Sequence, residues 1–126
     1  MEPRIDLNNP EHIVTGDPGG MLAVLCNLPE QCEEALAIGR RAEIPDGYAD
    51  VANVVVTGLG GSAIGGDFLR LFSNDILGVP VLVNRDYTLP EFIGPNTLVF
   101  AVSYSGNTEE TLSAYSQARS KGARIT

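Results

Sequence analysis

The sequence has few basic residues, a single histidine and no apolar run long enough to cross a bilayer. Its 8 lysines and arginines are outnumbered by 16 aspartates and glutamates, which gives a formal net charge of -8. This charge argues against a nucleic-acid or anionic-membrane surface. The N-terminus lacks the basic-then-apolar pattern of a signal peptide. We therefore expect a cytoplasmic protein that binds neither nucleic acid nor membrane.

Cysteine and histidine are too scarce to indicate a metal site. The two cysteines, Cys26 and Cys32, have neither zinc-site nor CxxC spacing, and we expect reduced thiols that pack as small core residues. The only histidine, His12, lies in an extended arm predicted for residues 1–17, where a solvated or packing role is expected rather than catalysis. We predict no metal and no cofactor.

The first 50 residues are expected to form this arm followed by two helices. The first helix is predicted over residues 18–26, and the second begins near Asn27, with Glu30 in a capping-box position. The apolar face of the second helix is formed by Leu28, Cys32, Ala35, Leu36 and Gly39.

From residue 51 onward, apolar strands alternate with helices. The predicted strands are 51–57, 79–83, 97–102 and 124–126, and the predicted helices are 62–71 and 108–121. The first of these helices is expected to face inward through Ile64, Phe68, Leu71 and Phe72. This alternation is typical of an α/β fold with a parallel sheet covered on both faces and ligands at the carboxyl ends of the strands. Because the βαβ pattern breaks off at Thr126, we expect an N-terminal piece of a longer protein, with domains 1–50 and 51–126.

A glycine-rich turn, residues 58–67, follows the first strand. Its start fits the dinucleotide pattern G-x-G-x-x-A, although Asp86 lies late for a ribose-binding acid, and no lysine follows to make a P-loop. Ser62 occupies an expected helix N-cap position. Gly65 and Gly66 each cost about 1 kcal/mol in a helix relative to alanine, which suggests that something approaches the backbone closely.

A second turn places the hydroxyls of Ser103, Ser105 and Thr108 around Gly106, directly before the last helix. Free N–H groups and the positive end of the helix dipole attract anions at such a place. The sequence therefore predicts a neutral cradle for a phosphate, without lysine or arginine.

Three polar residues beside the cradle are given structural roles. Asn107 and Glu110 form an expected N-cap and N3 pair for the last helix. Glu109 and Glu110 are expected to stabilise the helix start rather than to act as catalytic acids or bases.

These motifs resemble the SIS (sugar isomerase) domain, and in particular the bifunctional phosphoglucose/phosphomannose isomerases. The resemblance is carried by Gly60-Gly61-Ser62, by Ser103-Tyr104-Ser105-Gly106-Asn107-Thr108-Glu109-Glu110-Thr111, and by the N-terminal stretches Asp17–Leu22 and Leu28–Ala35. It covers nearly the whole chain, as the first half of that family's first SIS domain. It implies a flavodoxin-like αβα sandwich around a five-stranded parallel sheet.

The resemblance also implies the ligand and the residues that hold it. Ser103, Ser105 and Thr108 would bind the phosphate of a hexose 6-phosphate. Gly61 and Ser62 would line the sugar, and Gly60 would shape the turn.

The implied reaction interconverts glucose 6-phosphate or mannose 6-phosphate with fructose 6-phosphate, by ring opening and proton transfer through a cis-enediol. The resemblance places the glutamate, histidine, lysine and arginine for this chemistry further along the parent chain, in a site completed across a homodimer. No catalytic residue is assigned within residues 1–126, which are expected to be inactive alone.

Two alternatives remain open on the sequence. One is a non-catalytic SIS module that senses a phosphosugar and regulates a partner, although no basic helix-turn-helix pattern is visible in the first 50 residues. The other is a nicotinamide-dependent enzyme, which rests on the G-x-G-x-x-A match alone.

Overall fold

The computed structural model describes residues 5–126, so the first four residues of the predicted arm lie outside the described part. The chain forms two compact units that divide between Glu43 and Ile44. The elements in chain order are α1 (Pro10–Gly16), α2 (Met21–Cys26), α3 (Leu28–Arg41), β1 (Asn53–Thr57), α4 (Gly61–Ser73), β2 (Val81–Asn84), β3 (Thr97–Ala101), α5 (Glu109–Ser120) and β4 (Arg124–Ile125).

The first unit contains a helix that the sequence analysis missed. Residues 10–16 form α1, so the prediction of an extended arm is wrong there. The reason is local, because the Asn9 side chain accepts a hydrogen bond from the Glu11 N–H, and Pro10 stands at the first helical position, where its missing N–H costs nothing.

The predicted helix over residues 18–26 is shorter than expected. It begins at Met21 because the Asp17 carboxylate accepts hydrogen bonds from the Met21 and Leu22 N–H groups, at 2.8 and 2.7 Å. An acidic side chain that satisfies free N–H groups stabilises a helix start.

The third helix starts where predicted but lacks the predicted cap. Asn27 is its N-cap residue, yet no side-chain capping hydrogen bond forms there. Cys26 and Cys32 are both exposed, so the expectation that they are core residues is wrong. No residue of α2 or α3 is buried, so neither cysteine has a core to enter.

The second unit is built on a four-stranded sheet with strand order β2-β1-β3-β4. All three strand pairings are parallel, and β1 pairs with β3 from Asn53↔Thr97 to Thr57↔Ala101. The predicted parallel α/β fold is thus confirmed. The strand boundaries shift by one or two residues, with β2 beginning at Val81 directly after Pro80, which cannot donate a ladder hydrogen bond.

Helices cover both faces of this sheet. Successive strand residues point to opposite faces, and the fully buried Val55 and Val99 pack with Ala114 and Ala118 of α5. Val56, the residue after Val55, lies under α4 on the other side. The result is the three-layer αβα arrangement that the sequence predicted.

The buried face of α4 differs from the predicted one. Its buried residues are Ala63, Gly66 and Ser73, whereas the large apolar side chains expected to face inward are exposed, namely Ile64, Phe68, Leu71 and Phe72. Small residues let the helix backbone approach the sheet closely. A Cβ on Gly66 would lie 2.9 Å from Cβ and Cγ1 of Val56 and 3.2 Å from Cγ2 of Val83.

The adjacent glycines of α4 provide a matched test of this packing. Gly66→Ala should lower the free energy of unfolding by about 1–3 kcal/mol, because the added methyl overpacks the helix–sheet contact. Gly65→Ala should raise it by up to about 1 kcal/mol, since a Cβ there meets nothing within 4 Å. Urea denaturation of both variants measures the difference. Equal stabilities would contradict the close packing at Gly66.

Candidate functional site

The two polar turns lie side by side because β1 and β3 are neighbours. Thr57 at the end of β1 pairs with Ala101 at the end of β3, and the Val102 N–H donates to the Thr57 carbonyl at 2.8 Å. An open cleft of about 570 Å³ lies between the turns. Its lining residues are Leu59, Gly61, Ser62, Val102, Ser103 and Tyr104.

The first turn contributes backbone and one hydroxyl to this cleft. Gly60 is the N-cap residue of α4 and has a φ of 56°, in the left-handed region that favours glycine. Ser62 is therefore the second residue of the helix, and the prediction that it is the N-cap is wrong. Its side chain is half-buried and lines the cleft together with Gly61.

The second turn brings its three hydroxyls together. Ser103 Oγ lies 3.0 Å from Thr108 Oγ1 and 3.5 Å from Ser105 Oγ, and the Ser105 and Thr108 hydroxyls are 3.4 Å apart. Ser105 is exposed, whereas Ser103 and Thr108 are half-buried. These hydroxyls form a small polar cluster that solvent can reach, which we call the hydroxyl cradle.

Backbone N–H groups fix two of these hydroxyls. The Gly106 N–H donates to Ser103 Oγ at 3.0 Å, and the Asn107 N–H donates to Ser105 Oγ at 3.2 Å. A serine hydroxyl has one donor and two acceptor sites. Because these contacts use acceptor sites, the protons of both hydroxyls remain available to turn from the neighbouring hydroxyls toward an anion.

Helix α5 begins at the cradle, one residue later than expected. Its N-cap residue is Thr108, which makes no side-chain capping bond. The predicted pairing of Asn107 as N-cap with Glu110 as N3 is therefore wrong, since the helix start places Glu110 at N2. The first N–H groups of a helix have no intrahelical acceptor and carry partial positive charge, so they can donate to an anion at this position.

Acidic groups flank the cradle, and one of them is in contact with a tyrosine that was not among the predicted site residues. The Tyr87 hydroxyl donates to Glu109 Oε2 at 3.3 Å. The Glu110 carboxylate raises the pKa of the Tyr87 phenol above its usual 10.0, with burial and Glu109 adding to the rise. The position of Tyr87 in the sequence could have indicated it, because Tyr87 follows the carboxyl end of β2, where loops of a parallel sheet approach ligands.

A buried amide supports the loop that carries Tyr87. The Asn84 side chain, at the end of β2, donates to Thr57 Oγ1 at 3.3 Å and to the Asp86 carbonyl at 2.8 Å. The next residue, Arg85, forms an ion pair with Asp67 of α4. These contacts tie the end of β2 to the first turn.

Residues 5–126 contain neither a candidate metal site nor a membrane-spanning helix. No three His, Cys, Asp or Glu side chains are grouped so that they could hold a metal ion. No helix in that range is long and apolar enough to cross a membrane.

Several curated proteins are similar to this chain. A bifunctional phosphoglucose/phosphomannose isomerase of Caldicellulosiruptor bescii is 54% identical over 105 residues, which cover 83% of this chain and 31% of the relative. One of Thermoplasma acidophilum is 53% identical over 74 residues, or 59% of this chain and 23% of the relative. A D-glucosamine-6-phosphate 4-epimerase of Sulfolobus acidocaldarius is 33% identical over 100 residues, which cover 79% of this chain and 31% of the relative.

The chain thus spans less than a third of the length of these relatives. No solved structure matches it significantly. The family model of the SIS domain matches residues 47–126, which include both turns and the whole parallel sheet. The chain therefore belongs to the SIS domain family and is similar to bifunctional phosphoglucose/phosphomannose isomerases.

Proposed function

We propose that this chain binds a hexose 6-phosphate as part of an aldose–ketose isomerase that interconverts glucose 6-phosphate and mannose 6-phosphate with fructose 6-phosphate. The observation that carries the proposal is the hydroxyl cradle, in which Ser103, Ser105 and Thr108 converge within 3.5 Å at the start of α5. The similarity to isomerases named for phosphoglucose and phosphomannose supports the choice of sugar.

In this proposal the cradle binds the phosphate through geometry rather than charge. The hydroxyls of Ser103, Ser105 and Thr108 donate to phosphate oxygens, and the first N–H groups of α5 add their partial positive charge. Gly61 and Ser62, across the same cleft, contact the sugar, while Gly60 sets the backbone of the turn.

The chemical step needs groups of a different kind. Ring opening and proton transfer between C1 and C2 require a general acid and a general base beside those carbons. The charge that develops on the enediolate must also be stabilised. We assign none of these roles to residues 1–126 and propose that they come from elsewhere in the parent enzyme, in a cytoplasmic homodimer.

We further propose the division into an N-terminal part, residues 1–50, and a partial SIS domain, residues 51–126. The extent of the family match, from residue 47, supports this division. The compact unit that starts at Ile44 supports it as well.

A non-catalytic phosphosugar sensor would use the same cradle, and the names of the relatives favour the enzyme over the sensor. Those reported above are named as isomerases or as an epimerase. The epimerase is named for D-glucosamine 6-phosphate. Its name supports a hexose 6-phosphate as the ligand class, but it does not support the isomerase reaction in particular.

Removing two hydroxyls tests the cradle. The double variant Ser105→Ala with Thr108→Ala should bind fructose 6-phosphate at least about 10-fold more weakly, because each hydrogen bond to a charged group contributes about 1.5–3 kcal/mol. Isothermal titration calorimetry measures the affinity. Ser116→Ala is the control, since that hydroxyl bonds only within α5, to the Leu112 carbonyl. Unchanged affinity in the double variant, or binding of NAD in place of fructose 6-phosphate, would contradict the proposal.

Purified residues 1–126 should bind fructose 6-phosphate without converting it. The cradle supplies hydroxyl and N–H donors for the phosphate, whereas ring opening and proton transfer require a general acid and a general base beside C1 and C2. A coupled assay for glucose 6-phosphate formation checks this. Turnover that disappears in the double variant above would show that a catalytic base lies within these residues.

A further inference from the structure

We propose that Tyr87 is a positioning residue for the phosphate site. Its phenol holds the Glu109 carboxylate against the side of α5, where the carboxylate does not compete with phosphate for the N–H groups at the helix start. This inference rests on the proposed phosphosugar binding. It adds a residue outside both turns that sets the affinity of the cradle.

The loop after β2 is fixed to α5 at Tyr87. The Tyr87 carbonyl accepts hydrogen bonds from Gln117 Nε2 at 2.6 Å and from Ser113 Oγ at 2.9 Å. Two residues further on, the Leu89 N–H donates to Gln117 Oε1 at 3.1 Å, and the Leu89 side chain is buried in the core. The backbone position of Tyr87 is therefore set by the helix that starts at the cradle.

The contacts of Tyr87 follow one face of this helix. Glu109, Ser113 and Gln117 are spaced four residues apart, so their side chains lie above one another on α5. Ser113 and Gln117 hold the Tyr87 carbonyl, and Glu109 receives the phenol hydrogen bond at 3.3 Å. Tyr87 therefore contacts α5 at Gln117, at Ser113 and at the first helical residue, Glu109. Glu109 directly follows the cradle residue Thr108.

The phenol is suited to act as a donor in this position. A tyrosine hydroxyl keeps its proton at neutral pH, and the Glu110 carboxylate, burial and Glu109 raise the pKa of the Tyr87 phenol further. A neutral phenol can donate to a carboxylate. It adds no charge to the site.

The need for such a residue follows from the position of Glu109. A carboxylate at the first helical residue is attracted to the same free N–H groups and helix dipole that would bind a phosphate. Because Glu109 is part of the helix, its carboxylate is always present beside these donors, and its negative charge repels an incoming phosphate. A hydrogen bond that keeps it on the side of the helix favours phosphate binding.

A double-mutant cycle tests this arrangement. Tyr87→Phe should weaken the binding of fructose 6-phosphate and of inorganic phosphate by about 3- to 10-fold, the value of one hydrogen bond. In a Glu109→Gln background, the same substitution should change affinity by less than about 2-fold, because the competing charge is gone. Calorimetry measures the four affinities, and urea denaturation follows stability in parallel.

Tyr115→Phe, which removes a tyrosine hydroxyl from α5 itself, is the control, and it should leave phosphate affinity unchanged. An equal loss on Tyr87→Phe in both backgrounds would overturn the inference, because it would mean that Tyr87 acts only through folding or direct contact. If the wild-type protein binds fructose 6-phosphate and Tyr87→Phe binds it equally well, the inference fails while the proposed function stands. If the wild-type protein binds neither probe, both fail.

Discussion

The parallel pairing of β1 with β3 is the constraint on which the site depends. It sets the two strands in register up to Thr57 and Ala101, so that the polypeptide leaves both strands at the same edge of the sheet. Two turns that are separated in sequence by residues 68–102 then line one cleft, with Gly61 and Ser62 on one side and Ser103 on the other. Without this register the glycine-rich turn and the hydroxyl-rich turn would be two unrelated helix starts.

Close helix packing supports that register from both faces of the sheet. Helix α5 contacts the core through Ala114 and Ala118, and α4 contacts it through Ala63 and Gly66. Small side chains bring each helix backbone near the strands, which fixes where the helix starts lie relative to the strand ends. The same packing leaves the large apolar residues of α4 exposed, so burial along α4 follows the fit to the sheet rather than side-chain hydrophobicity.

The cradle is neutral, and its surroundings are acidic. Hydroxyls and N–H groups supply the donors, while Glu109 and Glu110 stand at the first two positions of the helix. Carboxylates there stabilise α5 through the helix dipole and at the same time oppose an anionic ligand. The hydrogen bond from Tyr87 separates these two effects, because it leaves the charge near the helix start but directs it toward the loop after β2.

The sequence by itself determined the alternation of strands and helices, the parallel sheet and the hydroxyl-rich turn, because periodicity and the chemistry of local groups are written along the chain. Local contacts changed the bounds of some elements; for example, Asn9 and Pro10 start a helix within the predicted arm. Only the tertiary structure decided which face of α4 is buried, since that depends on the fit of Gly66 against Val56 and Val83. It likewise decided that Tyr87 reaches Glu109, a contact across 22 residues that arises only once Gln117 holds the loop on α5.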